Sequence, residues 1–165
     1  MWPWRRRVEV VLAARAQDNA AAALTMILRY HRRAVTIDEV RQAIDGDRTG
    51  APHAGHVVDA AARFRLRGRG LALDDPQQLA QIPTPSIVHL MNDRGRFPRP
   101  FENLDGYFGV VVSRSPQQVR WIDPYDGENE DAPAGFFAIA SGVFLVFDEV
   151  APLPRARLRS VASKR

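Results

Sequence analysis

The chain contains 165 residues, of which 45% are hydrophobic, and it has a formal net charge of +4 and no cysteine. This length fits one domain with one core, because domains most often contain about 100–150 residues. Without cysteine, a thiolate nucleophile, a disulfide and a cysteine-bound metal are all excluded. Arginine supplies almost all of the positive charge, and the sequence contains no recognisable nucleic-acid-binding motif. We therefore expect a solvated surface and no nucleic-acid partner.

No segment of the sequence approaches the roughly 20 apolar residues of a membrane-spanning helix. The basic start, residues 1–7, leads into the run 8–12, which is too short and too polar for a secretory signal. The lack of cysteine weakly favours a reducing compartment. We therefore expect a cytoplasmic protein that is not exported and does not span a membrane.

The start of the chain is predicted to be helical. Residues 18–32 are alanine-rich with apolar residues at helical spacing, which predicts the first helix. Asp18 or Asn19 is expected to cap its N-terminal amides, since short polar side chains accept hydrogen bonds from the first turn. Thr36 and Glu39 have the spacing of a capping box, which begins a second helix that ends at about residue 44.

Strands become frequent further along the chain. Pro52 is expected in the first turn of a third helix that continues to Phe64. Residues 69–73 alternate as a short strand, and residues 75–81 are predicted to form a helical turn. Four apolar strands are then expected in one antiparallel sheet, at residues 86–90, 107–112, 119–122 and 143–147. Helices that precede the strands, instead of alternating with them, indicate the α+β class.

Two segments have no predicted secondary structure. Residues 92–105 are charged and contain proline, which in a compact domain indicates a flexible loop or a binding element. The tail, residues 151–165, is basic and interrupted by proline, and we expect it to be disordered. The sequence thus predicts one domain over residues 1–150, followed by a short tail.

Several local patterns occur in the order found in one peptidase family. The first helix opens with an aspartate, Asn19, four alanines and an apolar run. Gly106-Tyr107-Phe108 begins the second strand of the predicted sheet, and Asp123-Pro124 ends the third. Over about residues 8–147 the chain resembles the double-glycine leader peptidases of peptide exporters, which are papain-like cysteine peptidases often fused to ABC transporters. The resemblance implies a papain-like fold, with N-terminal helices packed on an antiparallel sheet.

The resemblance also assigns four catalytic positions. Asn19 stands at the nucleophile position, and its delocalised amide nitrogen has no lone pair to offer as a thiolate does. Tyr107 stands at the histidine position, and the ordinary pKa of tyrosine, about 10, makes it an inefficient base. Ala13 replaces the glutamine that helps to bind the oxyanion, so only the orienting acid is retained, as Asp123. We therefore expect a degenerate member with no intact catalytic site.

Simpler roles remain open for the same residues. An Asp-Pro pair after a strand is typical of a turn in which the carboxylate, here that of Asp123, accepts backbone amides. Asn19 can likewise be a helix cap and nothing more. We also expect Asn19, Tyr107 and Asp123 to form a hydrogen-bonded cluster that keeps the former cleft in shape.

Two alternative chemistries use other residues. A cysteine-independent hydrolase on the same fold would need Thr25 as nucleophile with His31 or His89 as base. Thr25 lies well inside the predicted helix, beyond the end where free amides could stabilise an oxyanion. Three possible metal ligands share one face of the third helix, without an evident fourth: His53, His56 and Asp59. We therefore expect neither a metal nor another cofactor.

Binding, and not cleavage, is the expected function. A pseudopeptidase domain would hold a leader peptide or an unfolded polypeptide for a bacterial export or maturation system such as bacteriocin processing. The expected binding residues are Tyr107, Phe108, Phe101 and Asn19. The resemblance implies an ABC exporter as partner, and through it a place at the inner face of the membrane. The remaining alternative is an assembly subunit of a larger complex, bound through its arginine-rich surface and tail.

Overall fold

The computed structural model describes residues 6–46, 52–91 and 107–150. The α-helices in these residues are α1 (Asn19–Tyr30), α2 (Ile37–Asp45), α3 (Ala54–Arg63) and α4 (Pro133–Ile139). The strands are β1 (Leu66–Ala72), β2 (Ser86–Leu90), β3 (Tyr107–Arg114), β4 (Val119–Asp123), β5 (Gly127–Asp131) and β6 (Ala140–Glu149). Short 3-10 helices lie at Ala16–Asp18 and Pro76–Gln81.

The strands of the described residues form one antiparallel sheet in the order β1-β6-β2-β3-β4-β5. The four strands predicted to form a sheet lie side by side as β6, β2, β3 and β4, and β1 and β5 extend the two edges. Helices α1 to α3 pack on one face of the sheet, whereas α4 packs on the other. The predicted α+β class, with N-terminal helices on an antiparallel sheet, is confirmed.

Helix α1 lies at the centre of the larger core cluster. Every residue from Asn19 to Leu28 is buried. Its four alanines, residues 20–23, allow a close approach to the sheet because a methyl group adds little bulk. The larger Leu24 and Ile27 fill the space toward the neighbouring elements. The alanine-rich pattern therefore serves tight packing as well as helix propensity.

The starts of the next two helices show one prediction that is confirmed and one that is wrong. The Glu39 amide donates to Thr36 Oγ1 at 3.2 Å, and the Thr36 amide donates to Glu39 Oε2 at 2.7 Å, so the predicted capping box is present. Pro52 was expected in the first turn of α3. It instead precedes His53, whose extended backbone makes it the N-cap residue.

The two edge strands depart from the predictions. β1 begins at Leu66, three residues before the predicted start at residue 69. β5 was not predicted, because its sequence Gly-Glu-Asn-Glu-Asp contains no large apolar side chain. Its strand conformation comes from pairing with β4, in which Glu128 lies opposite Ile122. The predicted loop 92–105 and the tail 151–165 lie outside the described residues.

Gly142 forms a bulge near the start of β6. The register between β2 and β6 shifts by two residues, from Val88 opposite Phe144 to Leu90 opposite Ala140. Gly142 lies in the extra length of β6, with a φ of +89°. A Cβ at this position would lie 2.6 Å from the Leu73 carbonyl oxygen. Both the backbone conformation and the available space therefore require glycine.

We expect Gly142→Ala to destabilise the fold by about 1–3 kcal/mol, from the strained backbone conformation and the contact with the Leu73 backbone. The control is Gly135→Ala, at an exposed position of α4 where an added Cβ meets nothing within 4 Å. It should leave stability unchanged or raise it by about 0.5–1 kcal/mol, because alanine is the better helix former. Urea unfolding midpoints provide the measurement. Equal midpoints for the two variants would contradict this account of the bulge.

Candidate functional site

The N-terminus of α1 is buried against strand β3. Asn19, the first residue of α1, is 4% exposed. Its Oδ1 atom accepts a hydrogen bond of 2.9 Å from the Phe108 backbone amide. Asp18 occupies the N-cap position, but its side chain makes no capping hydrogen bond. The predicted capping by Asp18 is therefore wrong, and the Asn19 oxygen serves to connect the helix to the sheet.

Asp123 ends strand β4 and accepts hydrogen bonds at both carboxylate oxygens. Its Oδ2 atom accepts from the Tyr107 hydroxyl at 3.2 Å, and Oδ1 accepts from the Tyr125 amide at 2.8 Å. The second bond is the turn interaction expected for an aspartate before proline. The first joins Asp123 to Tyr107, the residue that the resemblance aligns with a histidine. The turn role of Asp123 is thus confirmed, whereas its role as an orienting acid stays a prediction.

Tyr125 connects Asn19 to the hydrogen-bonded pair of Tyr107 and Asp123. Burial raises the pKa of its phenol to about 12, while a hydrogen bond with the Asn19 side chain acts in the opposite direction. This bond joins Tyr125 to the residue whose Oδ1 atom accepts from β3. Asn19, Tyr107, Asp123 and Tyr125 therefore form one connected polar network inside the domain.

Sequence reasoning did not identify Tyr125. Its position two residues after Asp123 could have shown that its amide would satisfy the carboxylate, since this spacing defines the turn. Nothing local indicated that its ring would reach Asn19, which lies more than a hundred residues earlier in the chain. The ring also packs against Tyr107, with 5.8 Å between the ring centroids.

Ala13 lies at the edge of the same site. Its backbone amide donates a hydrogen bond of 2.7 Å to the carbonyl oxygen of Pro124, the residue after Asp123. The N-terminal segment is thus fixed beside the end of β4. The methyl side chain of Ala13 has no hydrogen-bond donor. Position 13 therefore cannot supply a side-chain donor to an oxyanion.

Asp18 is held by an ion pair that sequence reasoning also missed. Its carboxylate is almost fully buried and accepts from Arg41 of α2 at both oxygens, at 2.8 and 2.9 Å. Arg41 also pairs with Asp38. The hydrogen bonds to Asp18 and Asp38 raise the pKa of the Arg41 guanidinium above its already high usual value. Arg41 therefore stays charged and neutralises a carboxylate buried next to Asn19.

The residues of the alternative hydrolase are engaged elsewhere. Thr25 is buried inside α1, and its hydroxyl donates to the Ala21 carbonyl at 2.7 Å. The Nδ1 atom of His31 lies 3.5 Å from the Glu149 carboxylate. His89 packs against Phe108, with 5.3 Å between the ring centroids, and burial lowers its pKa. These contacts favour structural roles for all three side chains.

The possible metal ligands lie around the start of α3. His53 and His56 stack on each other, and His56 Nδ1 accepts a hydrogen bond from the His53 amide at 3.2 Å. This ring nitrogen is thereby used within the helix start. In the three described ranges, no group of three or more histidine, cysteine, aspartate or glutamate side chains is placed to hold a metal ion.

The aromatic residues expected to bind a peptide are buried where the structure describes them. Tyr107 is 1% exposed and Phe108 is 3% exposed, and their side chains point to opposite faces of the sheet. Phe101 lies outside the described residues. The assignment of Tyr107, Phe108, Phe101 and Asn19 to peptide binding stays a prediction.

The N-terminus of α1 packs against strand β3 of an antiparallel sheet, and an aspartate ends the next strand, β4. This arrangement is that of the papain-like peptidase fold. Residues 7–151 match the peptidase C39 family. The chain belongs to this family, and the resemblance noted in its sequence is confirmed. No curated protein matches it. Within the described residues, no helix has the length and apolar character needed to cross a membrane.

Solved structures of peptidase domains from transporters have the same fold. A double-glycine motif protease from an AMS/PCAT transporter, solved in complex with the leader peptide, is 23% identical with a TM-score of 0.71, over 89% of this chain and 96% of that one. The peptidase domain of Streptococcus ComA, a bifunctional ABC transporter, is 16% identical with a TM-score of 0.71, over 87% and 100%. The peptidase C39-like domain of a toxin secretion ATP-binding protein from Vibrio parahaemolyticus is 14% identical with a TM-score of 0.58, over 81% and 98%.

We expect Arg41→Met to destabilise the protein by about 2–3 kcal/mol, because it leaves the buried Asp18 carboxylate without a counter-charge. The control is Arg120→Met, which breaks the exposed pair with Glu130 and should cost about 1 kcal/mol or less. Adding Asp18→Asn to Arg41→Met should recover part of the loss, since no charge then stays buried. Thermal and urea unfolding measure all three variants. A double variant no more stable than Arg41→Met would contradict the assignment of this loss to the unpaired charge.

Proposed function

We propose that this chain is a non-catalytic member of the peptidase C39 family that binds a leader peptide or an unfolded polypeptide. The observation that carries the proposal is the engagement of Asn19, the residue at the nucleophile position. Its oxygen accepts from the Phe108 amide, and its side chain also hydrogen-bonds the Tyr125 phenol. A buried amide engaged in this way is a structural group and not a nucleophile.

The other positions support the same proposal. A papain-like mechanism needs a base beside the nucleophile and a donor for the oxyanion. At the position of the base, the Tyr107 hydroxyl donates a hydrogen bond to Asp123. At the position of the oxyanion donor, Ala13 offers only a methyl group. Thr25, the alternative nucleophile, is hydrogen-bonded to the helix backbone.

Retention of the fold supports peptide binding. The AMS/PCAT protease is solved with a leader peptide, and this chain covers nearly all of that domain. Recognition of an extended peptide requires a groove and accessible backbone, and neither depends on the catalytic side chains. In this proposal Asn19, Tyr107 and Phe108 act by holding the start of α1 and strand β3 in position, because each is almost fully buried. An ABC exporter of a bacterial peptide is the proposed partner, which places the domain at the inner face of the membrane.

We expect the purified protein to bind double-glycine leader peptides without cutting them. Fluorescence anisotropy with a labelled leader measures binding, and a scrambled leader of the same composition is the control. Mass spectrometry after long incubation measures cleavage against a heat-inactivated sample. Cleavage of the leader above that background would disprove the non-catalytic assignment. Equal binding of the intact and scrambled leaders would disprove specific leader recognition.

We expect Asn19→Cys combined with Tyr107→His to give at most weak cleavage of the same leader, because Ala13 still offers no oxyanion donor. Adding Ala13→Gln should raise the rate on the order of 10²-fold, the usual contribution of one such donor. The matched control carries Ala13→Gln and Tyr107→His with Asn19→Ala, and should be inactive. Circular dichroism verifies folding of each variant. If the folded double variant equals the triple variant, position 13 has no part in oxyanion binding.

A further inference from the structure

A groove of about 810 Å³ lies away from the network around Asn19. Its walls come from the N-terminal segment, the C-terminal end of α1, the approach to β2, and the strands β3, β4 and β5. Its lining includes one carboxylate, that of Glu128, and four arginines. The arginines are Arg6, Arg7, Arg114 and Arg120. We call this the arginine groove. Its volume falls in the range of about 300–1,000 Å³ that is typical of ligand sites.

Two of these arginines are anchored by neutral groups. Arg6 Nη1 donates to the carbonyl of Tyr30, the last residue of α1, at 3.1 Å. Arg114 Nε donates to the Ile82 carbonyl at 2.7 Å. These bonds fix the positions of the guanidinium groups without neutralising their charge. In the described part of the chain, Arg6 and Arg114 have no carboxylate partner, so both charges remain available to a ligand.

The other two arginines form exposed ion pairs. Arg7 lies 3.1 Å from Glu128, and its side chain is 83% exposed. Arg120 lies 3.2 Å from Glu130. Pairs of this kind contribute little to stability because water already solvates both charges. An incoming carboxylate can therefore replace Glu128 or Glu130 as partner at small cost.

The groove also has apolar lining. Val8, Pro85 and Val112 line it together with the Tyr30 ring. Val8 is 5% exposed and belongs to the core, which anchors the backbone next to Arg7. Apolar contacts with cations around them suit a polypeptide that carries both aliphatic and acidic side chains. A small inorganic anion would use only the charges.

Taking the proposed binding function as its basis, we propose that the arginine groove binds an extended acidic segment of the polypeptide that this domain holds. The four cations are distributed over the N-terminal segment, β3 and β4, so they match several carboxylates along a chain better than one compact anion. Arginine forks bind carboxylates through two parallel hydrogen bonds.

The N-terminal segment connects this groove to the turn beside the network around Asn19. Arg7 lines the groove, and Ala13 is bonded beside Asp123. The six residue steps from Arg7 to Ala13 span at most about 22 Å when extended. A polypeptide bound in the groove can therefore extend along this segment toward the end of β4.

Anisotropy with a short fluorescein-labelled peptide that alternates glutamate and serine tests the groove directly, using the full chain. Arg7→Gln combined with Arg120→Gln should weaken binding about fivefold, since two exposed charge contacts are lost. The matched control is Arg67→Gln with Arg69→Gln, which removes the same charge from exposed positions of β1 at the opposite edge of the sheet. The control should bind like the wild type. An equal loss in both pairs would overturn the assignment to the groove.

A variant that is expected to bind the acidic peptide more tightly excludes loss of folding as the cause of a change in binding. Glu128→Gln removes the carboxylate that competes for Arg7, and should tighten binding of the acidic peptide about twofold to threefold. Raising the salt concentration should weaken binding to the wild type, because ions screen exposed charges. Weaker binding of the peptide to Glu128→Gln would overturn the proposal.

Two further probes separate this proposal from its alternatives. If phosphatidylglycerol vesicles bind to the arginine groove and the acidic peptide does not, the groove is a membrane contact and the proposal fails. A chain that binds the double-glycine leader but not the acidic peptide overturns only the role of the groove. A chain that binds the acidic peptide but no leader overturns the proposed leader recognition and leaves the groove as an acidic-peptide site.

Discussion

The burial of two polar side chains at the start of helix α1 is the constraint on which the rest of the site depends. Asp18 and Asn19 are both nearly inaccessible to solvent. A buried charge needs a counter-charge, and a buried amide needs hydrogen-bond partners. Arg41 of α2 meets the first requirement, while β3 and Tyr125 meet the second. These partners come from separate parts of the chain. The ion pair of Asp18 and the hydrogen bonds of Asn19 therefore fix the helices, the sheet and the turn after β4 relative to one another.

The fold of the peptidase C39 family is held in this chain by polar contacts inside the domain. In an active papain-like site, the residue at the start of the helix must present a nucleophile to solvent and substrate. Here the first residue of α1, Asn19, is 4% exposed and hydrogen-bonded to β3 and to Tyr125. Asp123, at the end of β4, accepts from the Tyr107 phenol and a backbone amide. The polar groups of this helix, these strands and this turn are thus engaged with one another.

The parts of this structure that sequence could predict are those with a local cause. The capping box of Thr36 and Glu39 and the apolar strands are set by residues close together in the chain, and both are found. β5 has a polar sequence and owes its conformation to its neighbour β4, so no local pattern indicated it. The same holds for the pairing of Arg41 with Asp18, which lie 23 residues apart. The resemblance identified Asn19, Tyr107 and Asp123 as neighbours, but Tyr125, which connects them, belongs to no motif.

The hydrogen bonds of Asn19 also determine what a substitution at the start of α1 would cost. Replacing Asn19 by cysteine alone would remove the acceptor of the Phe108 amide and the side-chain partner of the Tyr125 phenol. A buried polar group left unsatisfied costs about 1–3 kcal/mol, a large share of the stability of a small domain. A new side chain at position 19 would therefore need matching changes in strand β3 and in the turn after β4.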